Sequence, residues 1–225
     1  MAQGFGPSTP WLSRTGLRVM SDAFSASDTP SLTQFEGHPV TGSYQVDDEG
    51  VRAKDVTLIE KGRLVTLLTS RTPQKNFLHS NGHARSNGAW AGVFQLESAQ
   101  AISSSELKVK YLALLKAQEK TFGYIVRGVR SASGAAGAGP GIDRIVRVNL
   151  DGEEQPVRGL RFGAVPSTAF RDLSEASRER TLFSYRAGFA TAVSVIAPGV
   201  IFEELEIQRT RDVLQKPPVV PSPFK

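Results

Sequence analysis

The chain has 225 residues, enough for one large domain or two small ones with a water-excluding core. Its hydrophobic fraction of 40% and charged fraction of 22% exclude a collagen, a coiled coil and a wholly disordered chain. The net charge is +5 with scattered basic residues, which allows nucleic-acid binding without arguing for it. The lack of cysteine excludes disulfides, thiolate metal ligands and a cysteine nucleophile.

The first half of the chain predicts an arm, a hairpin and a polar loop. Residues 1–40 are rich in Ser, Thr, Pro and Gly, which favours a covered loop or extended arm over an independent domain. β-branched residues on both sides of Lys61-Gly62 predict a hairpin of strands 56–59 and 64–68. Residues 74–89 predict a long polar loop, and loops of that length inside a compact domain are often functional.

The second half predicts one longer helix and more strands. The helix begins at residues 103–105, and Gly123 is its C-cap. A strand over 124–129, a flexible connection over 131–141 and a hairpin of 145–150 with 157–162 follow. Beyond them we predict a short helix at 168–178, strands at 182–185 and 191–196, a break at Pro198-Gly199 and a strand at 201–207. The fold class is α+β, dominated by antiparallel strands.

Three adjacent carboxylates, Asp47, Asp48 and Glu49, precede the first hairpin. Carboxylates are the ligands that Ca²⁺ and Mg²⁺ prefer, so a cation site is one interpretation. Neighbouring residues of an extended chain point to opposite sides, however, and cannot all reach one ion without a turn. We therefore favour a turn in which an Asp side chain caps backbone N–H groups.

The polar loop carries a second candidate site. His83 and Arg85 are two residues apart, so an extended segment would place both side chains on one side, where they could hold an anion or a peptide carboxylate. Asn81 and Arg71 lie close by in the sequence and complete the predicted substrate-binding set. On the spacing alone, a solvated loop with an idle histidine is the favoured alternative.

Other catalytic motifs are missing from the sequence. No serine lies in a Gly-x-Ser-x-Gly turn, and no His-Glu-x-x-His segment occurs. Glu203, Glu204 and Glu206 alternate along a predicted strand, which is typical of a solvated face. We therefore predict no catalytic residue and no metal ligand in this chain.

Several segments together resemble the TldD/PmbA family, once called modulators of DNA gyrase and now regarded as metallopeptidases. The most specific is GSYQVDDEGV at 42–51 followed by VTLIEKGRL at 56–64, because order and spacing both match. LTSRTP at 68–73 and SNGHAR at 80–85 look like the next segment in one branch of the family. SVIAP at 194–198 and FEELEI at 202–207 look like its C-terminal pattern.

The resemblance implies an antiparallel, barrel-like C-terminal domain with one or two helices. It divides the chain into an N-terminal arm or remnant of a preceding region at 1–40, the family domain at 41–216 and a Pro-rich tail at 217–225. Family members bind zinc through a His-Glu-x-x-x-His helix upstream of the Asp-Asp-Glu-Gly block, with a third ligand that can be Cys. This chain has neither, so we expect no cofactor here and zinc in the complete enzyme.

Function and partners follow from the same resemblance. We expect the C-terminal part of a metallopeptidase, cut from a longer chain, which forms a groove for an extended peptide. A stand-alone non-catalytic subunit is the alternative, and a basic nucleic-acid-binding domain is a remote third. The expected partners are a peptide or protein substrate and a second TldD/PmbA-like subunit, in a homodimer or heterodimer. We expect a cytoplasmic location and no membrane contact.

Overall fold

A computed structural model describes residues 11–74, 76–86, 88–130, 141–163, 165–187 and 191–209. The chain divides into two compact units. Unit 1 comprises Met1–Tyr111 and Ser167–Glu203, and unit 2 comprises Leu112–Pro166 and Glu204–Lys225.

Strands dominate both units. Those of the first half are β1 (Phe24–Asp28), β2 (Gln34–Phe35), β3 (His38–Pro39), β4 (Val56–Glu60), β5 (Arg63–Leu64), β6 (Ala84–Arg85), β7 (Gly88–Ala89) and β8 (Val93–Ser98). Those of the second half are β9 (Phe122–Arg130), β10 (Gly141–Asn149), β11 (Glu154–Val157), β12 (Leu160–Phe162), β13 (Leu173–Ala187), β14 (Thr191–Phe202) and β15 (Ile207–Arg209). The helix α1 spans Ser104–Ala117, and short 3-10 helices span Leu12–Arg14 and Ser167–Asp172. The predicted α+β class with predominantly antiparallel strands is confirmed.

Unit 1 is built on a six-stranded sheet with the order β13-β14-β8-β1-β4-β5. Its strand pairs are antiparallel except for β8 with β14, which are parallel. In β1, burial alternates, so that Phe24, Ala26 and Asp28 face the interior. The main apolar cluster lies around these positions and includes Phe24, Phe94 and Leu58. The last residue of β1 is thus an aspartate whose side chain faces the interior on the same side as Phe24 and Ala26. The site described below is built around it.

Unit 2 contains a smaller sheet, in which β11, β10, β12 and β15 follow one another and β9 pairs with β10. Its longest ladder joins β9 to β10 from Phe122 opposite Asn149 to Arg130 opposite Gly141, with irregular register near Arg144. The predicted second hairpin is confirmed in β10 and β11, whose turn contains Gly152 with a φ of +88°. Residues 160–162, predicted as part of its second arm, form β12 instead.

Helix α1 ends earlier than predicted. Gly123 is not its C-cap, because Gly123 lies in β9 and pairs with Val148. The helix ends at Ala117, and Glu119 takes the left-handed conformation with a φ of +54°. The Glu119 N–H then donates to the Lys116 carbonyl, and the Lys120 N–H donates to the Leu115 carbonyl. These two hydrogen bonds are the pattern of a Schellman motif.

Two predictions about the last third of the chain are wrong. Pro198 and Gly199 do not break the chain but lie inside β14. β8 pairs with β14 only over Ser194–Ile196, so the missing N–H of Pro198 costs no ladder bond on that side. The helix predicted at 168–178 is a 3-10 turn that ends at Asp172, because Leu173 already begins β13 with its side chain buried.

Other boundaries also differ from the prediction. β1, which precedes the expected boundary at residue 40, is an interior strand of the six-stranded sheet of unit 1. The segment predicted as one strand at 201–207 contains the end of β14 and the start of β15, with residues 203–206 outside any strand. Residues 131–140 of the connection predicted at 131–141 and the tail at 217–225 lie outside the described residues, whereas Gly141 begins β10. In the described part of the chain, no helix is long and apolar enough to cross a membrane.

Candidate functional site

A buried histidine–aspartate pair lies at the end of β1. The His83 Nε2 is 2.9 Å from the Asp28 Oδ2, and both side chains are fully buried. The same Oδ2 accepts a hydrogen bond from the Gly92 N–H at 3.0 Å. Removing one member of such a pair leaves a buried polar group without its partner, which costs far more than losing a surface contact. The pair therefore fastens the polar loop to the central sheet.

The other ring nitrogen of His83 faces only oxygen atoms. Its Nδ1 is 2.9 Å from the Asn81 Oδ1 and 3.1 Å from the Asn81 carbonyl oxygen. The orientation of the Asn81 amide is set by its own bonds, because its Oδ1 accepts from the Thr69 N–H and its Nδ2 donates to the Leu67 carbonyl. With these oxygen neighbours, Nδ1 acts as the donor towards Asn81.

The Asp-Asp-Glu-Gly block is a capped turn that borders the polar loop. The Asp47 Oδ1 accepts from the N–H groups of Glu49 and Val51 at 3.0 and 2.8 Å. Its Oδ2 accepts from the Ala84 N–H at 3.0 Å, and the Asp48 N–H donates to the Ala84 carbonyl. The favoured prediction of a capping aspartate is confirmed here in the geometry. The turn also provides β6 with the hydrogen bonds that a neighbouring strand would otherwise supply.

Tyr44 forms one wall of the site. Its hydroxyl donates to the Gly82 carbonyl at 2.9 Å, and its ring meets the His83 ring edge-on with centroids 6.3 Å apart. Burial raises the pKa of the Tyr44 hydroxyl beyond its usual range, the Asp28 charge adds to this shift, and the Arg85 charge opposes it. The hydroxyl therefore stays protonated at neutral pH and remains a donor. Gly92 is required beside it, because a Cβ there would lie 2.5 Å from a Tyr44 ring carbon.

Arg85 lies over the Tyr44 ring. Its guanidinium carbon is 4.3 Å from the centre of the Tyr44 ring, a cation–π contact. Its Nε is 3.9 Å from the Asp48 Oδ1, longer than a hydrogen bond, and its side chain is 15% exposed. Its Nη1 is buried and has no hydrogen-bond partner among the described residues. Arg85 is thus a cation held in place by its neighbours, with at least one N–H group that has no hydrogen-bond partner among the described residues.

The four predicted site residues fall into two groups. His83 is fully buried and the Asn81 amide is engaged on both sides, so these two residues shape the loop from inside. Arg85 is partly exposed and Arg71 is exposed, and the Arg71 N–H donates to the Glu49 Oε2 at 2.6 Å. The alternative of an idle, solvated His83 is wrong, because its ring is enclosed and both of its nitrogens have partners.

Sequence reasoning missed Asp28 and Tyr44. Asp28 lies 55 residues before His83. The sequence feature that could have identified it is an aspartate at an inward-facing position of a short strand with alternating burial. Tyr44 belongs to the GSYQVDDEGV segment, whose family pattern does not by itself indicate the role of a single aromatic residue. A buried carboxylate needs a partner, so an inward aspartate in a predicted strand can be matched to a histidine elsewhere.

The described residues do not fit a zinc site. No group of three His, Cys, Asp or Glu side chains within the described ranges could hold a metal ion. In the His83–Asp28 pair, both ring nitrogens are already used, and Nδ1 carries a proton where a metal would need a lone pair. We therefore assign no metal-dependent step to these residues.

The domain thus consists of a predominantly antiparallel sheet and a polar loop that is fixed by the buried His83–Asp28 pair and by the turn that Asp47 caps. The family model described as the PmbA/TldA metallopeptidase C-terminal domain matches residues 6–209. The chain belongs to this family, as the resemblance predicted.

Relatives and solved structures agree with this assignment. A metalloprotease of Methanothermobacter thermautotrophicus is 39% identical over 74 residues, which cover 32% of this chain and 15% of the relative. A proposed modulator of a DNA gyrase from Thermotoga maritima MSB8 has a TM-score of 0.67 at 20% identity, covering 92% of this chain and 45% of that one. TldE from Thermococcus kodakarensis has a TM-score of 0.61 at 20% identity, with 92% and 46% covered. The chain spans less than half the length of these proteins, and the structural likeness concerns the fold.

Proposed function

We propose that this chain acts as the C-terminal, peptide-binding part of a TldD/PmbA-like metallopeptidase. The observation that carries the proposal is the match to the family's C-terminal domain over residues 6–209. Zinc and the His-Glu-x-x-x-His helix would come from residues outside this chain, because the described residues do not fit a metal site. The substrate would be a peptide or an unfolded protein segment.

The geometry of the polar loop supports a binding role. A peptide site needs side chains held in place before the ligand arrives, since ordering them on binding would cost affinity. The buried His83–Asp28 bond and the engaged Asn81 amide supply that rigidity. Arg85 and Arg71 are the predicted residues that retain exposed surface for a ligand.

A strand edge is the second element of the proposed groove. β13 and β5 are the edges of the six-stranded sheet. Ile102 already forms a parallel bridge at the edge of β13. Its N–H donates to the Ala176 carbonyl, and its carbonyl accepts from the Arg178 N–H. An extended peptide would add to such an edge by the same backbone pairing. We further propose a cytoplasmic enzyme that pairs with a second TldD/PmbA-like subunit.

The test measures zinc content, peptide cleavage and peptide binding of this chain with one unstructured fluorescent peptide. We expect binding, no stoichiometric zinc and no cleavage without the rest of the enzyme. Arg71→Ala should weaken binding by up to about fivefold, the range of an exposed charge, whereas the exposed Arg52→Ala serves as the matched control. Stoichiometric zinc with robust cleavage would contradict the assignment of the metal site to other residues, and failure to bind any peptide would contradict the binding role.

A further inference from the structure

Arg85 is one of three arginines whose guanidinium lies over an aromatic ring and that have a buried nitrogen without a hydrogen-bond partner among the described residues, the others being Arg14 and Arg147. Arg85 is the one of the three that belongs to the polar loop. Two arginines with more exposed side chains than Arg85 form close ion pairs: the exposed Arg127 has its Nη2 2.7 Å from the Glu154 Oε2, and the half-buried Arg180 has its Nη1 2.5 Å from the Glu97 Oε1. The far more buried Arg85 has its nearest carboxylate oxygen at 3.9 Å. A cation taken out of water normally has the closer partner, because the lost hydration must be replaced. The arrangement at Arg85 is the reverse of this expectation.

The surroundings of Arg85 hold it in place without using up its donors. The Arg85 guanidinium carbon lies 4.3 Å from the centre of the Tyr44 ring, and the Arg85 side chain also interacts with the Tyr44 hydroxyl, so Tyr44 holds the guanidinium in place. Asp48, the nearest acid, directs its Oδ2 to the Ser86 N–H at 2.6 Å. The Arg85 Nη1 has no hydrogen-bond partner in the described part of the chain. The site therefore offers a fixed guanidinium that lacks a closely bound anion.

We infer that Arg85, stacked on Tyr44, is a carboxylate-binding site that selects peptides carrying a negative charge. The inference rests on the proposed function and adds the chemical class of its substrate. A guanidinium matches a carboxylate with two parallel N–H···O bonds, which fixes orientation as well as affinity. The carboxylate could be the C-terminus of the peptide or an Asp or Glu side chain, and both present the same chemistry to Arg85.

Tyr44 and the buried pair act as positioning residues for this site. The Tyr44 hydroxyl is anchored on the Gly82 carbonyl, and its ring abuts His83, which is itself bonded to Asp28. Gly82 has a φ of +80°, and a side chain there would meet the Arg52 backbone, so the anchor depends on glycine. Loss of the anchor would loosen the Tyr44 ring and reduce affinity without removing any charge.

The experiment measures the affinity of the full chain for four labelled peptides. Two are acetylated tetra-alanine, as the free acid and as the C-terminal amide. Two are amidated and carry one Glu or one Gln in place of an alanine. We expect one carboxylate peptide to bind about tenfold or more tightly than its neutral counterpart, as for charge-assisted hydrogen bonds. The pair that shows the difference identifies the source of the carboxylate.

Three variants and one control test the role of Arg85. Arg85→Gln should abolish the preference for the charged peptide, while Arg85→Lys should retain only part of it, since lysine lacks the planar fork. Asp48→Asn keeps an acceptor for Ser86 but removes a competing charge, so it should strengthen the preference. Arg52→Gln is the control and should leave the preference unchanged.

The outcomes distinguish this inference from the proposed function. Equal binding of all four peptides, or a preference unaffected by Arg85→Gln and Asp48→Asn, would overturn carboxylate selection while leaving peptide binding intact. Binding of none of the peptides would contradict both. Asp48→Asn also covers the case in which Arg85→Gln fails to fold, because a weakened or unchanged preference in Asp48→Asn contradicts the competing-charge arrangement.

Discussion

The two units bury different kinds of residue. Of the 28 buried apolar residues in the described part of the chain, 24 lie in unit 1 and 4 in unit 2. All seven buried polar or charged residues, Asp28 and His83 among them, lie in unit 1. A buried polar group is tolerated where it forms hydrogen bonds and where the surrounding apolar packing offsets the free energy lost on its removal from water. The candidate site therefore lies in the unit with the larger apolar core.

The strongest test of this comparison is removal of the buried pair. His83→Ala leaves Asp28 without its partner, and we expect a loss of about 3–5 kcal/mol in the free energy of unfolding of unit 1. Denaturant unfolding followed by tryptophan fluorescence reports on this unit, because Trp11 and Trp90 both belong to it. The exposed His38→Ala is the matched control and should stay within about 0.5 kcal/mol. A loss from His83→Ala as small as that of the control would refute the role of the pair.

The second test concerns the small core of unit 2. Ile145→Ala truncates one of four buried apolar side chains, the others being Leu115, Ile142 and Val148, and should cost unit 2 about 3 kcal/mol. Hydrogen exchange should then speed up in β9, β10 and β11 while amides of β1 and β8 keep their protection. The converse variant, Ile59→Ala in unit 1, should speed up hydrogen exchange in β1 and β8 and leave β9, β10 and β11 protected. Equal loss of protection in both units would mean that they unfold together.

Local signals predicted much of the fold. β-branched residues around Lys61-Gly62 predicted the first hairpin, and β4 pairs with β5 with Glu60 opposite Arg63. The serines before Glu106 predicted the start of α1 correctly. These features depend on residues close together in sequence, and propensity and turn chemistry describe them well.

Features that depend on contacts between distant residues could not be predicted from the sequence. Pro198 and Gly199 have the local character of a break, yet Pro198 pairs with Arg180 of β13 and the Gly199 N–H donates to the Ser177 Oγ, so both stay in a strand. His83 looked like a solvated residue because its partner, Asp28, belongs to a strand hidden in a segment rich in Ser and Thr. Of the candidate site, the sequence predicted the loop and Arg85, whereas the core that surrounds them required long-range contacts.

The smallest expected effect concerns the first turn of α1, which belongs to unit 1 while the last turn belongs to unit 2. The Ser103 Oγ accepts from the Glu106 N–H at 3.3 Å, and the Glu106 Oε2 accepts from the Ser103 N–H at 2.8 Å, the reciprocal bonds of a capping box. Ser103→Ala should cost about 1 kcal/mol, and Ser103→Thr, which keeps the hydroxyl, should cost less. If the cap matters to unit 1, tryptophan-detected unfolding will register the loss.

The same cap predicts a dependence on pH. Hydrogen bonds from the Ser103 side chain, and then from its backbone, lower the pKa of Glu106 in the folded chain. A lowered folded pKa contributes stability above the pKa of the unfolded chain, and this contribution is lost as the pH falls through the folded value. Ser103→Ala should therefore flatten part of the acid side of the stability curve, and Glu106→Gln, which keeps an acceptor but cannot titrate, should flatten it equally. An unchanged acid limb in both variants would show that other carboxylates, such as Glu179 with its own serine partner at Ser104, determine the acid response.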